Sequence, residues 1–326
     1  MSFVAYPIKV YPIFKEKIWG GRKLNVFFEL PDDHKIGEVW FFADQELDCS
    51  IISNGRYKGL KLNELMKKHS KKILGNEIAR KFKGRFPLLF KYIDSEDKLS
   101  IQVHPDDNFA KKHNLPSGKS EAWYVLYSGK EAFIYLGLKK NVDRNTLLNY
   151  INGGRIINLL NKLKTKTGDG YYIPAGTVHS IGPSNIIFEI QQNTNVTYRI
   201  FDWERQNLEI PRELNLKDGI SAIKTKNKPR LSPKIYYTKE NGIKIRNLFD
   251  NEYFFSKELI MAKSEKYWYN QKSSAVLAIF EGCADVMGNF GKVRLQKGEI
   301  VLLPNAIKKF FIFACERLKC MISEIR

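Results

Sequence analysis

The sequence predicts a mainly β protein with two barrel-like or sandwich-like units and helical segments in the first. Short runs rich in β-branched and aromatic residues recur between glycines and prolines, at 132–136, 170–174, 185–191, 275–280 and 300–304. Regularly spaced short strands are typical of barrels and sandwiches. No strand-like run leads into a phosphate-binding loop or a dinucleotide fingerprint, so a parallel α/β enzyme is disfavoured.

The chain of 326 residues is long enough for two hydrophobic cores. Its content of 43% hydrophobic and 27% charged residues is ordinary for a globular protein. No window approaches about 20 consecutive apolar residues, and the N-terminus lacks the pattern of a secretory signal, so a cytoplasmic location is expected. The four cysteines form no C-x-x-C pair, which predicts neither a disulfide framework nor a sulfur metal site.

The net charge of +19 comes from 54 Lys and Arg against 35 Asp and Glu. Such an excess attracts anions, which could be nucleic acid, phosphorylated metabolites or an acidic membrane surface. The lysines are dispersed, with modest clusters at 67–68, 71–72 and 224–228. Because dispersed lysine is more typical of a solvated surface, we expect neither a nucleic-acid nor a membrane partner.

Two stretches of the first unit have helical periodicity. Apolar residues recur at helical spacing from 62 to 82, with lysine on the other face. A second pattern covers 144–163, where Asn152-Gly153-Gly154 predicts a turn between two helices.

The polar, basic stretch 224–233 predicts a linker between a first domain, 1–230, and a second domain, 231–326. In the second domain, Lys297-Gly298-Glu299 followed by Leu303-Pro304 resembles the earlier Gly168-Asp169-Gly170 followed by Ile173-Pro174. The later copy has no histidine where the earlier one has His179. The second domain is therefore predicted to repeat the first without metal ligands.

Three short motifs of the first domain contain metal-ligand residue types. Gln102 and His104 are two apart on a predicted strand, so both side chains can face one ion. Lys119 and Glu121 are also two apart, which places an ammonium beside a carboxylate. A Pro-x-Gly turn lets His179 return toward the barrel interior.

Two imidazoles, one carboxylate and one amide oxygen suit zinc with a position left open. The same two-histidine, one-carboxylate set can hold iron, so ligand type alone does not fix the metal. Singly, His104 could be a turn histidine before proline, and His179 could be a hydrogen-bonded core histidine. The chain has only five histidines, and two of them within strand-like motifs favour a joint metal site.

A fourth group follows further along the first domain. Glu189 and Gln191 share one face of a predicted strand, and Arg199 lies on the next strand if 193–195 forms a turn. The alternative explanation of this group is a salt-bridged hairpin on the sheet surface.

In order and spacing, these motifs resemble the type I phosphomannose isomerases (mannose-6-phosphate isomerases), in their short bacterial form. The resemblance covers nearly the whole chain and depends on segments 11–13, 18–21, 87–91, 102–105, 119–123, 174–179 and 198–203. A Pro-x-Gly-x-x-His motif by itself would indicate only a cupin.

The resemblance implies a cupin-type β-barrel (jelly roll) as the catalytic domain and a smaller cupin-like second domain. It implies one Zn²⁺ per chain, bound by Gln102, His104, Glu121 and His179. The implied reaction interconverts D-mannose 6-phosphate and D-fructose 6-phosphate through an enediol that zinc stabilises. The expected partner is thus a small sugar phosphate, and the chain is expected to be a monomer or a weak homodimer.

The resemblance also places further residues at the site. Such an isomerisation needs a base for the carbon acid and stabilisation of the developing oxygen charge. Glu189 is the preferred catalytic base and Lys119 the alternative. Arg199 is expected to anchor phosphate or stabilise transition-state charge, and Ser100 and Lys91 are expected to bind substrate.

Three alternatives fit parts of the sequence. A non-catalytic sugar-phosphate-sensing cupin would be expected to lose a ligand or the Glu189 and Arg199 pair, and this chain retains them. An iron-dependent cupin dioxygenase would need the coordination position that Gln102 takes. A nucleic-acid binder driven by the +19 charge would show steeply salt-dependent affinity for DNA or RNA.

Overall fold

The structure, a computed structural model, describes residues 2–31, 34–140, 142–205, 212–231 and 236–326. The helices in these ranges are α1 (Leu62–Leu74), α2 (Asn76–Lys81), α3 (Asp107–Lys112), α4 (Arg144–Asn152) and α5 (Leu216–Ala222), with short 3₁₀ turns at Lys23–Val26, Gly55–Tyr57 and Ile156–Leu159. No described helix is long and apolar enough to cross a membrane.

The strands up to residue 231 are β1 (Ile8–Lys9), β2 (Ile13–Gly21), β3 (Ile36–Phe41), β4 (Leu88–Ser95), β5 (Ile101–Val103), β6 (Glu121–Ser128), β7 (Phe133–Leu138), β8 (Leu160–Lys164), β9 (Gly170–Ile173), β10 (His179–Ile181), β11 (Asn185–Gln192), β12 (Tyr198–Phe201) and β13 (Arg230–Leu231). The later strands are β14 (Thr238–Glu240), β15 (Ile243–Asp250), β16 (Phe254–Met261), β17 (Lys266–Asn270), β18 (Ala275–Glu281), β19 (Ala284–Gly288), β20 (Gly291–Leu295), β21 (Ile300–Leu303), β22 (Lys309–Ala314) and β23 (Leu318–Ile325).

Two antiparallel sheets pack face to face in the first unit. One has the strand order β13-β9-β6-β11-β4-β3-β2, and the other has the order β12-β5-β10-β7-β8. Because side chains alternate between the faces of a strand, every second residue of β6 and β11 points into the space between these sheets. Trp123, Ile134 and Ile181 join in one buried cluster there.

The second unit repeats this strand arrangement. Its sheets have the orders β1-β21-β18-β23-β16-β15-β14 and β17-β22-β19-β20. Apart from the edge strands β1, β12 and β13, each strand from β2 to β11 takes the same place in its sheet as the strand twelve numbers later in the second unit. The predicted mainly β fold with a second barrel-like unit is therefore confirmed.

A large hydrophobic core joins the two units. Tyr92 and Phe188 of the first unit and Phe254 and Phe280 of the second belong to one buried cluster. The ring centroids of Phe188 and Phe280 are 5.0 Å apart. Because β4 and β11 also face the interior of the first unit, both of their faces are covered and every one of their residues is buried.

The N-terminal strand belongs to the second unit's sheet. β1 pairs with β21, with Ile8 opposite Leu302, and Ile8 is fully buried. The first residues of the chain thus complete a sheet made from its last residues.

The helical pattern at 62–82 is confirmed as α1 and α2, which Gly75 separates with a φ of +87°. The pattern at 144–163 is wrong in its second half, because α4 and a 3₁₀ turn lead into β8 instead of a helix. β8 pairs with β7, so hydrogen bonding to a neighbouring strand overrides the local helical pattern.

The predicted linker at 224–233 lies only partly within the described residues, since 232–233 fall outside them. Arg230 and Leu231 form β13, which pairs with β9 of the first unit. The domain boundary at 230/231 stays a prediction.

Candidate active site

His104, Glu121 and His179 lie together at one end of the first unit's interior. One ligand atom from each can be chosen so that all lie within 4.8 Å of one another. The Nε2 atom of His104 is 3.3 Å from Oε2 of Glu121, and the Nε2 atom of His179 is 3.2 Å from Oε1. All three residues are at most 1% exposed, so the group is shielded from bulk water.

Strand ends bring these residues together. His104 directly follows β5, Glu121 begins β6, and His179 begins β10 after the Pro-x-Gly turn. Gly176 in that turn has a φ of +89°, and a Cβ there would lie 2.8 Å from the Lys224 side chain. Glycine meets both the left-handed backbone and the close approach.

Backbone carbonyls orient both imidazoles. Nδ1 of His104 is 3.0 Å from the carbonyl oxygen of Val196, and Nδ1 of His179 is 2.9 Å from that of Thr177. An Nδ1–H that donates to a carbonyl leaves Nε2 as the free lone pair. Both Nε2 atoms face Glu121.

The protonation states suit metal binding. Burial, helped by the nearby Lys119 ammonium, lowers the pKa of His104 to about 3, and burial lowers the pKa of His179. Burial alone would raise the pKa of Glu121, but Lys119 and the two imidazoles outweigh it and hold that pKa well below its usual range. Two neutral imidazoles and one carboxylate are the forms that bind a cation.

The donor set fits a metal ion. Both carboxylate oxygens of Glu121 and Nε2 of His179 are buried, and none has a hydrogen-bond partner among the described residues. Buried polar atoms without partners are costly, and a cation between them would remove that cost. Gln102 lies opposite His179 across β5 and β10, which places the fourth predicted ligand beside the group.

A small cavity of about 60 Å³ adjoins the group. Its lining includes the sequence-predicted Lys91, Ser100, Gln102, Lys119, Glu189 and Arg199, together with Lys17, Trp19, Glu38, Trp123 and Arg212. Five of these side chains are cationic and two are carboxylates. A positively charged, enclosed wall suits an anionic ligand.

Glu189 is a buried residue of the cavity lining and lies between two cross-strand neighbours. Lys91 and Trp123 are directly opposite it on β4 and β6. The Lys91 Nζ is 3.2 Å from Oε1, and the Trp123 indole N–H donates to Oε2 at 2.9 Å. Burial raises the pKa of Glu189 despite the Lys91 ammonium, so this carboxyl titrates closer to neutrality than an exposed one.

Glu38 forms the second carboxylate of the cavity. It accepts a hydrogen bond from the Trp40 indole at 2.7 Å and lies 4.0 Å from Lys91 and 3.7 Å from Lys17. Burial opposes ionisation, but the two ammonium groups and the indole hold the pKa of Glu38 at about 2. Glu38 therefore stays ionised and helps to keep Lys91 protonated.

Arg199 reaches the cavity from the other sheet. β12 pairs with β5 and not with β11, so Arg199 lies opposite Gln102. The alternative of a salt-bridged hairpin is wrong, since no Glu189–Arg199 ion pair occurs among the described residues. Nε of Arg199 is buried without a hydrogen-bond partner among those same residues. Lys119 lies against two of the predicted metal ligands, with its Nζ 3.0 Å from Nε2 of His104 and 3.3 Å from Oε2 of Glu121.

Lys17, Glu38, Trp123 and Arg212 were not identified from the sequence. Trp123 had a usable signal, because it is two residues after Glu121 and shares its strand face. Glu38 had a weaker one, an isolated carboxylate in a short apolar strand. Lys17 and Arg212 come from distant segments without a motif.

Comparison with known proteins identifies relatives of this chain. The family model for "Phosphomannose isomerase type I, catalytic domain" matches residues 8–125. Mannose-6-phosphate isomerase ManA of Bacillus subtilis is 34% identical over 93% of this chain and 95% of its own length. The Streptococcus mutans mannose-6-phosphate isomerase is 31% identical over 94% of this chain and 95% of its own.

A solved structure of a mannose 6-phosphate isomerase is also similar to this chain. The crystal structure of the Bacillus subtilis mannose 6-phosphate isomerase superimposes with a TM-score of 0.86 at 30% identity, covering 97% of this chain and 99% of the other. A phosphomannose isomerase from Salmonella typhimurium, at 16% identity, superimposes with a TM-score of 0.76 over 99% of this chain and 100% of the other. The second likeness concerns the fold alone.

Proposed function

The chain belongs to the type I phosphomannose isomerases, and from that membership we propose that it interconverts D-mannose 6-phosphate and D-fructose 6-phosphate with one bound Zn²⁺. The observation that carries the proposal is the buried His104–Glu121–His179 group, in which both Glu121 oxygens and His179 Nε2 lack hydrogen-bond partners among the described residues, beside a cationic cavity that contains a buried carboxyl of raised pKa. A cytoplasmic, monomeric or weakly dimeric enzyme is part of the proposal.

His104, Glu121 and His179 would hold the metal, with the Gln102 amide oxygen as the fourth ligand. Zn²⁺ bound there would supply Lewis-acid polarisation of a sugar oxygen. The role of the chain is to keep both Nε2 atoms deprotonated and Glu121 ionised, through burial and the Lys119 charge. Iron suits the same ligand types, so metal content is the first thing to measure.

Glu189 is the proposed base. In the open-chain aldose it would take the proton from C2 and return it to C1, while a hydroxyl proton moves from O2 to O1. A base is most effective when its pKa lies near the working pH, and burial moves Glu189 in that direction. Lys91 and Trp123 fix the two carboxylate oxygens. Lys119 is the alternative base.

The cationic wall is proposed to bind the phosphate. Arg199 offers a buried Nε without a partner among the described residues, and a planar guanidinium suits phosphate oxygens. Lys17 and Arg212 line the same cavity. Ser100, 2% exposed and also in the lining, is proposed to contact a sugar hydroxyl.

The first test combines metal content with a coupled assay on mannose 6-phosphate, before and after chelation. We expect about one zinc per chain, with activity that chelation abolishes and zinc restores. Bound zinc without turnover would favour the sugar-phosphate sensor, and turnover that survives removal of all metal would refute the metal site.

An Arg199→Ala variant separates metal binding from substrate binding. It should keep its zinc and lose about 10²-fold or more in kcat/KM, since it removes a charge-assisted contact. Arg155→Ala, whose guanidinium lies over the Tyr150 ring away from the cavity, is the matched control. Normal turnover and KM in Arg199→Ala would contradict the assignment.

A further inference from the structure

A second and wider cleft lies beside α1 and α2, apart from the active site. Its volume is about 920 Å³, within the range of small-molecule sites. Asn63, Lys67 and Lys71 line it from α1 at helical spacing, and Asn76 and Arg80 line it from α2. None of its lining residues belongs to the active-site cavity.

The cleft has an uncompensated positive charge. Its lining has two carboxylates, Asp44 and Glu46, and five cationic side chains, those of Lys67, Lys71, Arg80, Lys83 and Arg85. In the part of the chain that the structure describes, only Arg85 of these five forms an ion pair, and its Nε lies 3.9 Å from the Asp44 carboxylate. Like charges held in a concave wall focus the potential and raise the local concentration of anions.

Two residues that line the cleft each have a buried polar atom without a partner among the described residues. The amide Nε2 of Gln45 and the amide Oδ1 of Asn63 are buried, and neither has a hydrogen-bond partner among the described residues. One is a donor and the other an acceptor, so the pair suits hydroxyl groups or the edge of a nitrogenous ring. An inorganic anion would leave both atoms without a hydrogen-bond partner.

We propose that this cleft binds a phosphorylated small metabolite, a sugar phosphate or a nucleotide. Lys71, Arg80 and Lys83 bind the phosphate oxygens, and Gln45 and Asn63 contact the organic part. The site adjoins the catalytic strands without sharing their residues. Arg85 precedes β4 by three residues. The backbone N–H of Asp44 donates to Oδ1 of Asn193 at 3.1 Å, and Asn193 directly follows β11.

The test is calorimetric titration of the full chain with adenosine 5′-monophosphate, glucose 6-phosphate and inorganic phosphate as separate probes. The same titrations on the Arg199→Ala variant, in which the active site is expected to bind phosphate weakly, separate binding in the cleft from binding in the active site. Wild-type protein should bind at least one organic probe more tightly than inorganic phosphate. The tighter of the two organic probes identifies the ligand as a nucleotide or a sugar phosphate.

A matched pair of variants tests the location. Lys71→Glu with Arg80→Glu should weaken the organic probe about tenfold or more, because two charge-assisted contacts are lost. Lys68→Glu with Lys72→Glu changes the charge equally on exposed positions of α1 outside the cleft and should leave the affinity unchanged. Both variants should retain isomerase activity and thermal stability.

Three results would overturn the proposal. An equal loss of affinity for the organic probe in the two variants would show that binding depends only on general charge attraction. Inorganic phosphate that binds as tightly as both organic probes would exclude the role of Gln45 and Asn63. The absence of saturable binding of either organic probe to wild-type protein at millimolar concentration would exclude the site.

Discussion

The two barrels share one strand arrangement but have opposite interiors. The first contains buried charges, among them Lys91, Glu121 and Glu189, each at most 3% exposed. The interior of the second is apolar, with Leu277, Leu303 and Ile322 in its core cluster. The backbone architecture therefore does not determine the chemistry, which depends on the side chains that point inward.

Strand pairing shows which residues correspond. Glu121 lies opposite Ile173, and Ala275 lies opposite Leu303 at the matching place in the second barrel. His179 lies opposite Gln102, and Lys309 lies opposite Asn270. Ala275 and Lys309 of the second barrel thus stand where the first barrel has Glu121 and His179. The apolar barrel stabilises the molecule, while the charged one carries costs that only pairing or a bound ion offsets.

The largest effect should come from removing the carboxylate of the first barrel. Glu121→Ala removes the charged ligand and leaves two imidazoles and the neutral Gln102 amide, so we expect loss of the metal and a fall in kcat/KM of about 10⁴-fold or more. Asp285→Ala removes a buried carboxylate from the second barrel and should leave both unchanged. Elemental analysis and the coupled assay measure the difference, and a metal-loaded Glu121→Ala protein would contradict it.

Glu189→Gln should separate proton transfer from metal binding. The variant keeps the shape of the side chain but removes the proposed base, so we expect kcat to fall about 10³-fold with normal metal content. Glu324→Gln is the control, since it lies on β23, the strand equivalent to β11. A kcat within a few fold of wild type would transfer the role of base to Lys119.

A cavity in the apolar barrel should act on stability and not on chemistry. Leu277 is fully buried, so Leu277→Ala should lower the free energy of unfolding by about 2–5 kcal/mol. Metal content and kcat, measured well below the unfolding temperature, should not change. Leu47→Ala, at a side chain that is 98% exposed, is the control for denaturant titration. A proportional loss of kcat would show that the barrels are not separable in function.

Glu38 should give the first barrel an acid-dependent stability. Its pKa is held at about 2 in the folded state, so its contribution is complete above the unfolded pKa of about 4.5 and disappears as pH falls toward 2. Wild type and Glu38→Gln should differ by up to about 3 kcal/mol at pH 7 and converge at low pH. Urea unfolding of chelator-treated protein measures this, with Glu16→Gln as an exposed control. A constant difference across pH would contradict it.

The smallest effect should come from the indole that donates to Glu189. Trp123→Phe removes one hydrogen bond to the carboxylate, so kcat should fall about tenfold with little change in KM. Because that bond favours the ionised form, the acid limb of the kcat profile should move to higher pH. Trp268→Phe, at a 68% exposed ring of the second barrel, should do neither.

The sequence was most informative where short spacing and strand geometry coincide. Gln102 with His104, and Lys119 with Glu121, could be placed together because residues two apart share a strand face. The meeting of three strand ends at His179 followed only from the resemblance and the turn before it. Lys17 and Arg212 reach the cavity through tertiary contacts alone, and no local pattern encodes such contacts.

The same limit applies to the fold. The strands β7, β9, β11, β18 and β21 were predicted within about two residues at each end, because each is a short apolar run between turn signals. The strand β8 was predicted as helix, since its pairing with β7 lies outside its own sequence. The attachment of β1 to the second barrel had no sequence signal, as a two-residue strand carries no periodicity.

That attachment has a consequence for synthesis on the ribosome. The Lys9 ammonium in β1 contacts the Glu299 carboxylate across a sequence separation of 290 residues. At roughly 5–20 residues per second, the first strand waits about 15–60 s for its partner to be made. For that interval the nascent chain holds Ile8, a residue destined for full burial, without the sheet that covers it.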